Sequence, residues 1–200
     1  MNRSAKRMLA APVALGLGLA AFSLTGSETG AAAAESTAPA WTIQPGGTLG
    51  FAVVNNGSDR LTGHFRKWDG DIRMDPLAPE TAAIAIEIDL ASATMNDGFR
   101  DQLLLGQEFF DVGVSPTATF ASNSVEALPD GRFVARGTLS LRGIGQPQEI
   151  EFRLTGSGDA RRVEGSATID RYPFEIGLGQ YGASLSSLVE VEFAFDATRE

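Results

Sequence analysis

Hydrophobic residues recur at every second position in stretch after stretch of this chain. Ile84, Ile86, Ile88 and Leu90 alternate with Ala83, Ala85, Glu87 and Asp89. Phe133, Ala135, Gly137, Leu139 and Leu141 alternate with Arg132, Val134, Arg136, Thr138 and Ser140. Ile150, Phe152 and Leu154 alternate with Glu149, Glu151 and Arg153, and Val189, Val191, Phe193 and Phe195 with Glu190, Glu192 and Asp196. A period of two sends alternate side chains to opposite faces, so each stretch predicts a strand with one apolar and one polar face. Trp41, Ile43, Phe51 and Val53 keep the same spacing, and 118–126 and 163–169 are also extended. Turn residues separate the runs: Pro45-Gly46-Gly47, Asn55-Asn56-Gly57, 75–79, Pro129-Asp130-Gly131, 143–147, 156–159 and 177–186. The stretch 61–74 reads as one long strand bent at Gly63 and Gly70. About eight strands at hairpin spacing predict an all-β fold, an eight-stranded antiparallel up-and-down barrel.

One stretch breaks the period. Phe99, Leu103 and Leu104 fall on one helical face, Asp97 is placed to cap the N-terminus, and Gly106 suits a left-handed stop. The expectation is a short helical insert that covers one open end of the barrel and forms the lid or mouth of a cavity. An eight-stranded barrel is just wide enough to be filled by side chains or to hold one slender ligand, and spacing leaves both open. Twelve Phe against two Tyr and two Trp make the interior apolar with few polar handles.

The first residues read as export signal rather than fold. Arg3, Lys6 and Arg7 precede an apolar run over 9–24, and Ala31 to Ala34 supply small residues for cleavage, expected after Ala34. The predicted organisation is a signal peptide over 1–34, a flexible leader over 35–40 and a barrel domain over 41–200, with a periplasmic or secreted destination. After residue 34, 13 Lys and Arg face 24 Asp and Glu, a net charge of −11. Such a chain repels phosphate backbones, so no nucleic-acid partner is expected. The chain has no Cys, which excludes thiolate chemistry, and a single His, His64, which excludes a multi-His metal site.

Candidate chemistry is sparse. Asp69, Asp71, Asp75, Asp89, Asp97 and Asp101 could in principle supply an acid–base pair, yet most sit beside Gly or Pro in turn settings. Arg100-Asp101 and Asp170-Arg171, with Tyr172 beside the latter, offer either structural pairs or headgroup contacts. His64 has the outward parity if Phe65 faces in. No G-x-S-x-G elbow or nucleotide loop is present.

Four segments in order resemble the YceI-like family: LTGHFRKWDGDI from Leu61, FRDQLLLGQEFFDVGVSPTATFAS from Phe99, ARGTLSLRGIGQPQEIEF from Ala135 and IDRYPFEIG from Ile169. The resemblance runs from Trp41 to about Ala197. It implies a lipocalin-like periplasmic barrel whose apolar tunnel holds a polyisoprenoid or isoprenoid quinone, with no catalytic residue and no cofactor beyond that lipid. Some members are tied to membrane b-type cytochromes or to envelope stress; monomer and dimer both stay open. The ligand-binding residues expected on this basis are Phe51, Val53, Phe65, Trp68, Ile86, Phe99, Arg100, Leu103, Leu104, Phe109, Phe110, Phe120, Phe152 and Phe174. Two departures, Asn55-Asn56 where members often carry His and Glu175 in place of a Gly, are expected at the tunnel mouth. Two other readings stand beside this one: a carboxylate-dependent enzyme on an isoprenoid or sugar, and a filled barrel that binds a protein partner.

Overall fold

The computed structural model describes residues 36–200, so the expected signal peptide lies outside the described residues. Eleven strand segments build the wall: β1 (Ala40–Ile43), β2 (Thr48–Asn55), β3 (Asp59–Phe65), β4 (Trp68–Arg73), β5 (Ala83–Asp89), β6 (Ala93–Thr94), β7 (Thr117–Ala127), β8 (Phe133–Leu141), β9 (Ile144–Thr155), β10 (Ala160–Asp170) and β11 (Leu185–Arg199). One helix, α1 (Gly98–Leu105), interrupts them.

The eleven segments make eight staves. β1 and β2 follow one another along β11, pairing with its two halves in turn. β3 pairs with β2 and β4 with β1, so 59–73 is a single stave broken at Arg66-Lys67, outside either glycine expected to bend it. β5 and β6 pair with β4 and β3 in the same way. From there β7 pairs antiparallel with β5; β8, β9, β10 and β11 each pair antiparallel with the one before, and β11 closes on β1. The result is the closed eight-stranded antiparallel barrel that the alternation predicted.

Turn chemistry departs from expectation at two places. The β8–β9 turn is confined to Arg142 and Gly143, both at positive φ, and Pro147 lies within β9 opposite Thr138. Gly106 ends α1 with φ −73° and ψ 168°, extended rather than left-handed. The segment expected to be a flexible leader is anchored from residue 36: Ala38 is buried, the Ser36 hydroxyl donates to the Thr81 carbonyl, and Met74 N–H donates to the Pro39 carbonyl.

Three inward positions explain how bulky side chains fit a barrel of this width. Phe51 pairs across strands with Gly63, Ile86 with Gly70, and Phe193 with Gly165. A Cβ on any of these glycines would collide with its partner's side chain, at 2.5 Å from Ile86 Cδ1 in the case of Gly70. Each large side chain therefore lies flat over a missing one, against the wall instead of across the lumen.

Candidate functional site

The two ends of the barrel are built differently. Asp97 caps α1 by accepting from the N–H groups of Phe99 and Arg100 at 3.0 Å. Asp101 then fastens the helix to β6, accepting from the Thr94 hydroxyl and the Met95 N–H, both at 2.7 Å. Those two hydrogen bonds, the Met95 one foremost, hold the Asp101 carboxyl below its usual range. Leu104 and Phe110 fall from this insert onto Leu90, Ala93, Ala118, Leu139, Leu141, Phe174 and Ile176, a buried apolar cluster. Phe51, Phe65 and Phe110 form an aromatic triad inside it, with ring centres 5.3, 5.8 and 6.4 Å apart.

A second loop, over 171–184, seals the same end. Its organiser is Arg171, only 2% exposed. Nε donates to Ser186, Nη1 to Ile176 and Gly177, and Nη2 to Gly182 and Leu185, all backbone carbonyls at 2.6–3.2 Å. Its guanidinium also stacks on the Tyr172 ring at 4.7 Å. Arg171 is thus neither paired with Asp170 nor available to a ligand. Asp170 accepts from the Tyr172 N–H instead.

Below the triad the barrel is hollow. A cavity of about 140 Å³ runs from Leu49, Ile88, Leu139 and Ile169 down to Trp41, Met74, Pro76, Leu154, Arg161 and Ala197. Its wall is almost wholly apolar, and no Asp or Glu lines it. Ile84, Ile86, Ile88, Ile150, Val191 and Phe193 face inward yet stay only half-buried, because they border empty space. Small residues at Ala135, Ala167 and Ala197 keep that space open. Neither α1 nor the loops over 106–116 and 171–184 contribute to the lining, so the tunnel is blind at the helix end and reaches the opposite rim.

Two polar side chains interrupt the apolar wall. Gln148 points inward from β9 and donates to the Glu149 and Thr168 carbonyls at 2.7 and 3.1 Å. It does so where the wall is least bonded: the β9–β10 ladder ends at Glu151 and Ser166, although β9 continues to Ile144 and β10 to Asp170. Pro147, without an N–H, lies in that unpaired stretch of β9. Arg161 points inward from β10 at the open rim, its guanidinium 5.5 Å from the centre of the Trp41 ring.

The expected ligand residues divide accordingly. Trp68, Ile86, Phe120 and Phe152 line the tunnel. Phe51, Phe65, Leu104, Phe109, Phe110 and Phe174 belong to the plug above it. Val53 shares the inward parity of Phe51 but lies above the lining residues on β2, and Leu103 is half-buried on α1; neither lines the tunnel. Phe99 is 74% exposed, and Arg100 is exposed too. The first three residues of α1 are exposed, so the face shared by Phe99 and Leu103 meets protein only at its second end. The insert is therefore the closed end of the barrel and not its mouth. Asn55-Asn56 and Glu175, expected at the mouth, lie at this closed end as well, and Glu175 takes a left-handed φ of 57°. Arg161 and Gln148 went unselected on sequence; their signal was a polar residue on the apolar parity of a strand, two before Val163 and two before Ile150.

The aspartates considered for acid–base work are occupied elsewhere or face away from the lumen. Asp69, Asp75 and Asp89 accept from nearby backbone N–H groups, as Asp97 does at its cap, and Asp71 is exposed on the outer face. His64 is half-buried on the outward parity of β3, with Gly63 and Phe65 facing in. Among the described residues no three His, Asp or Glu side chains gather as metal ligands.

Fold and cavity together define a lipocalin-like barrel with a blind apolar tunnel. A family model described as the YceI-like domain matches residues 41–197, and the chain belongs to that family. A UPF0312 protein of Pseudomonas paraeruginosa is 32% identical over 150 residues, 71% of this chain and 78% of that protein. Among solved structures, BcnA of Burkholderia cenocepacia superposes with a TM-score of 0.72 at 21% identity, covering 76% of this chain and 96% of BcnA. A polyisoprenoid binding domain from Saccharophagus degradans superposes with a TM-score of 0.62 at 15% identity, covering 81% and 99%.

Proposed function

We propose that the protein binds a long isoprenoid lipid and shields its tail in the barrel. The observation that carries this is the tunnel: almost wholly apolar and free of carboxylates. Each CH₂ buried contributes about 0.8 kcal/mol, so affinity grows with tail length and needs few polar contacts. The description of the Saccharophagus domain as polyisoprenoid-binding supports the same cargo. The N-terminal signal-like segment supports an exported, periplasmic site of action, where such a lipid would be carried between membrane and acceptor. Quinone handling in envelope stress, with a membrane b-type cytochrome as acceptor, is the finer version of this proposal.

The test is to purify the protein from cell envelopes, extract it with organic solvent and identify the released lipid by mass spectrometry. An isoprenoid at near one equivalent is expected, and Ala167→Phe, which projects into the lumen from a half-buried position, should purify with less. A wild type that releases no lipid and takes up no added isoprenoid overturns the reading. N-terminal sequencing of the same preparation checks cleavage after Ala34.

A further inference from the structure

The tunnel presents one fixed positive charge to its contents. Arg161 occupies the inward parity of β10 with Val163, Gly165, Ala167 and Ile169, at the rim where the tunnel leaves the barrel. Its cross-strand partner is Ala197, which leaves the guanidinium uncrowded on that side. Trp41 is 7% exposed, holds its ring in place by donating from Nε1 to the Met74 carbonyl at 2.9 Å, and forms the platform under Arg161. Nη1 donates to the Gly158 and Ala160 carbonyls at 2.9 and 3.0 Å. The Nε and Nη2 hydrogens have no acceptor among the described residues, and no carboxylate there lies within ion-pair distance. Neighbouring Arg162 is the contrast: it faces outward and is matched by Glu164 and Asp196.

An arginine that is immobilised on an aromatic ring, lacks a counter-ion and borders an apolar tunnel is a receptor for an oxyanion at the end of an apolar chain. We propose that Arg161 binds the headgroup of the cargo, and that the cargo is an isoprenoid carrying a phosphate monoester, seated tail-first toward the Phe51–Phe65–Phe110 plug. This rests on the isoprenoid reading of the tunnel and adds the headgroup and its direction. A phosphate monoester carries about −1.5 to −2 charges at neutral pH and offers several oxygens to the free guanidinium edge. The net negative charge of the chain does not oppose this, since charges beyond about 8 Å are largely screened at physiological ionic strength. A neutral headgroup, a quinone or an alcohol, would accept a hydrogen bond from the same residue without the ion pair.

Farnesyl phosphate, farnesol and inorganic phosphate, titrated into the delipidated protein and followed by calorimetry, test it. Wild type is expected to bind farnesyl phosphate about tenfold or more tighter than farnesol, the gain of a charge-assisted pair. Arg161→Gln should abolish that preference, so that farnesyl phosphate binds no tighter than farnesol, and Arg161→Lys should keep part of it. A wild type with no phosphate preference, or an Arg161→Gln protein that keeps one, overturns the headgroup proposal while leaving the tunnel reading intact. Equal loss of both ligands in Arg161→Gln also overturns it, by making the role structural. Inorganic phosphate binding as tightly as farnesyl phosphate overturns it too, because the anion site would then be independent of the tunnel. Failure of wild type to bind either isoprenoid is the distinct result that sinks the tunnel reading itself.

Discussion

The helix end and the rim end of this barrel use the same residue types to opposite effect. At the helix end, Phe51, Phe65 and Phe110 meet ring against ring, and with Leu104 and Phe174 they fill the lumen. At the rim end, Phe193, Ile86 and Trp68 are just as bulky, yet the lumen stays open. Two differences account for this. The open half sets Ala135, Ala167 and Ala197 on inward positions, so that Phe193 and Ile86, flat over Gly165 and Gly70 as Phe51 is over Gly63, face small residues across the lumen. The closed half receives extra side chains from outside the wall, delivered by α1 and by the loop over 171–184. Apolar composition alone thus says nothing about whether a barrel is full; what arrives from the loops does.

The sharpest way to break the contrast is to release the loop. Arg171→Met keeps the volume and removes the donors, leaving two buried and three partly buried carbonyls without them. Each orphaned acceptor costs about 1–3 kcal/mol, so a loss of about 3 kcal/mol or more is expected even if part of the loop relaxes to water. Denaturant unfolding measures it, and hydrogen exchange should place the loosening at 171–186 while the β8–β10 ladders below stay protected. A loss under 1 kcal/mol would show that the aromatic plug holds without the loop.

The complementary variant closes the open half. Gly165→Ala puts a methyl group into the Phe193 ring, the Glu151 carbonyl and the Phe152 Cβ, the last at 2.8 Å. The backbone of β9 cannot give way easily, so the ring must swing into the lumen. Overpacking of this kind costs about 1–3 kcal/mol, and here it should also obstruct the tunnel, lowering isoprenoid uptake more than stability. Uptake unchanged in a folded Gly165→Ala protein would refute the claim that flattened side chains keep the bore open.

Much of this wall was legible in the sequence. Period two along 83–90, 133–141, 149–154 and 189–196 assigns the inward face correctly, because the large apolar side chains of those strands concentrate on one face, Val134 excepted. The division between plug and tunnel was not legible. Phe110 and Phe120 look alike in sequence, and their fates part only when the loops over 106–116 and 171–184 fold across one end. That folding is set by Arg171 and carbonyls up to fifteen residues away, which no local pattern announces. Phe99 misleads for a related reason: spacing fixes the face of a helix, while the edge of the barrel beneath it decides how much of that face is covered.

The closed end also carries backbone strain that the open end lacks. Glu175 sits at φ 57° with an exposed side chain, so its carboxylate offers no compensation. A left-handed residue other than Gly costs about 1–2 kcal/mol, part of which Gly returns through the greater freedom of its unfolded chain. Glu175→Gly is therefore expected to stabilise the protein by up to about 1 kcal/mol, seen as a higher midpoint in denaturant. The Arg142 guanidinium donates to the Phe174 and Glu175 carbonyls, and glycine preserves both bonds. Destabilisation instead would mean that the left-handed turn is supported by more than those backbone contacts.

The smallest expected effect separates the helix from the plug it delivers. Asp101 ties α1 to β6 through Thr94 and Met95, and both hydrogen bonds favour the ionised carboxylate, lowering its pKa below the ordinary 3.8. A group whose folded pKa is depressed stabilises the fold above its unfolded pKa and loses that contribution as pH falls through the folded value. Asp101→Asn should therefore be less stable than wild type at pH 7, and the two melting curves should converge as pH drops below 3.8. The amide can still accept one hydrogen bond, which keeps the difference at pH 7 modest, and lipid uptake should not change because α1 does not line the tunnel. A difference that persists unchanged into acid would mean that shape, not charge, is what Asp101 contributes. A fall in uptake would mean that the blind end communicates with the bore, and that the two halves of the barrel are less independent than their packing indicates.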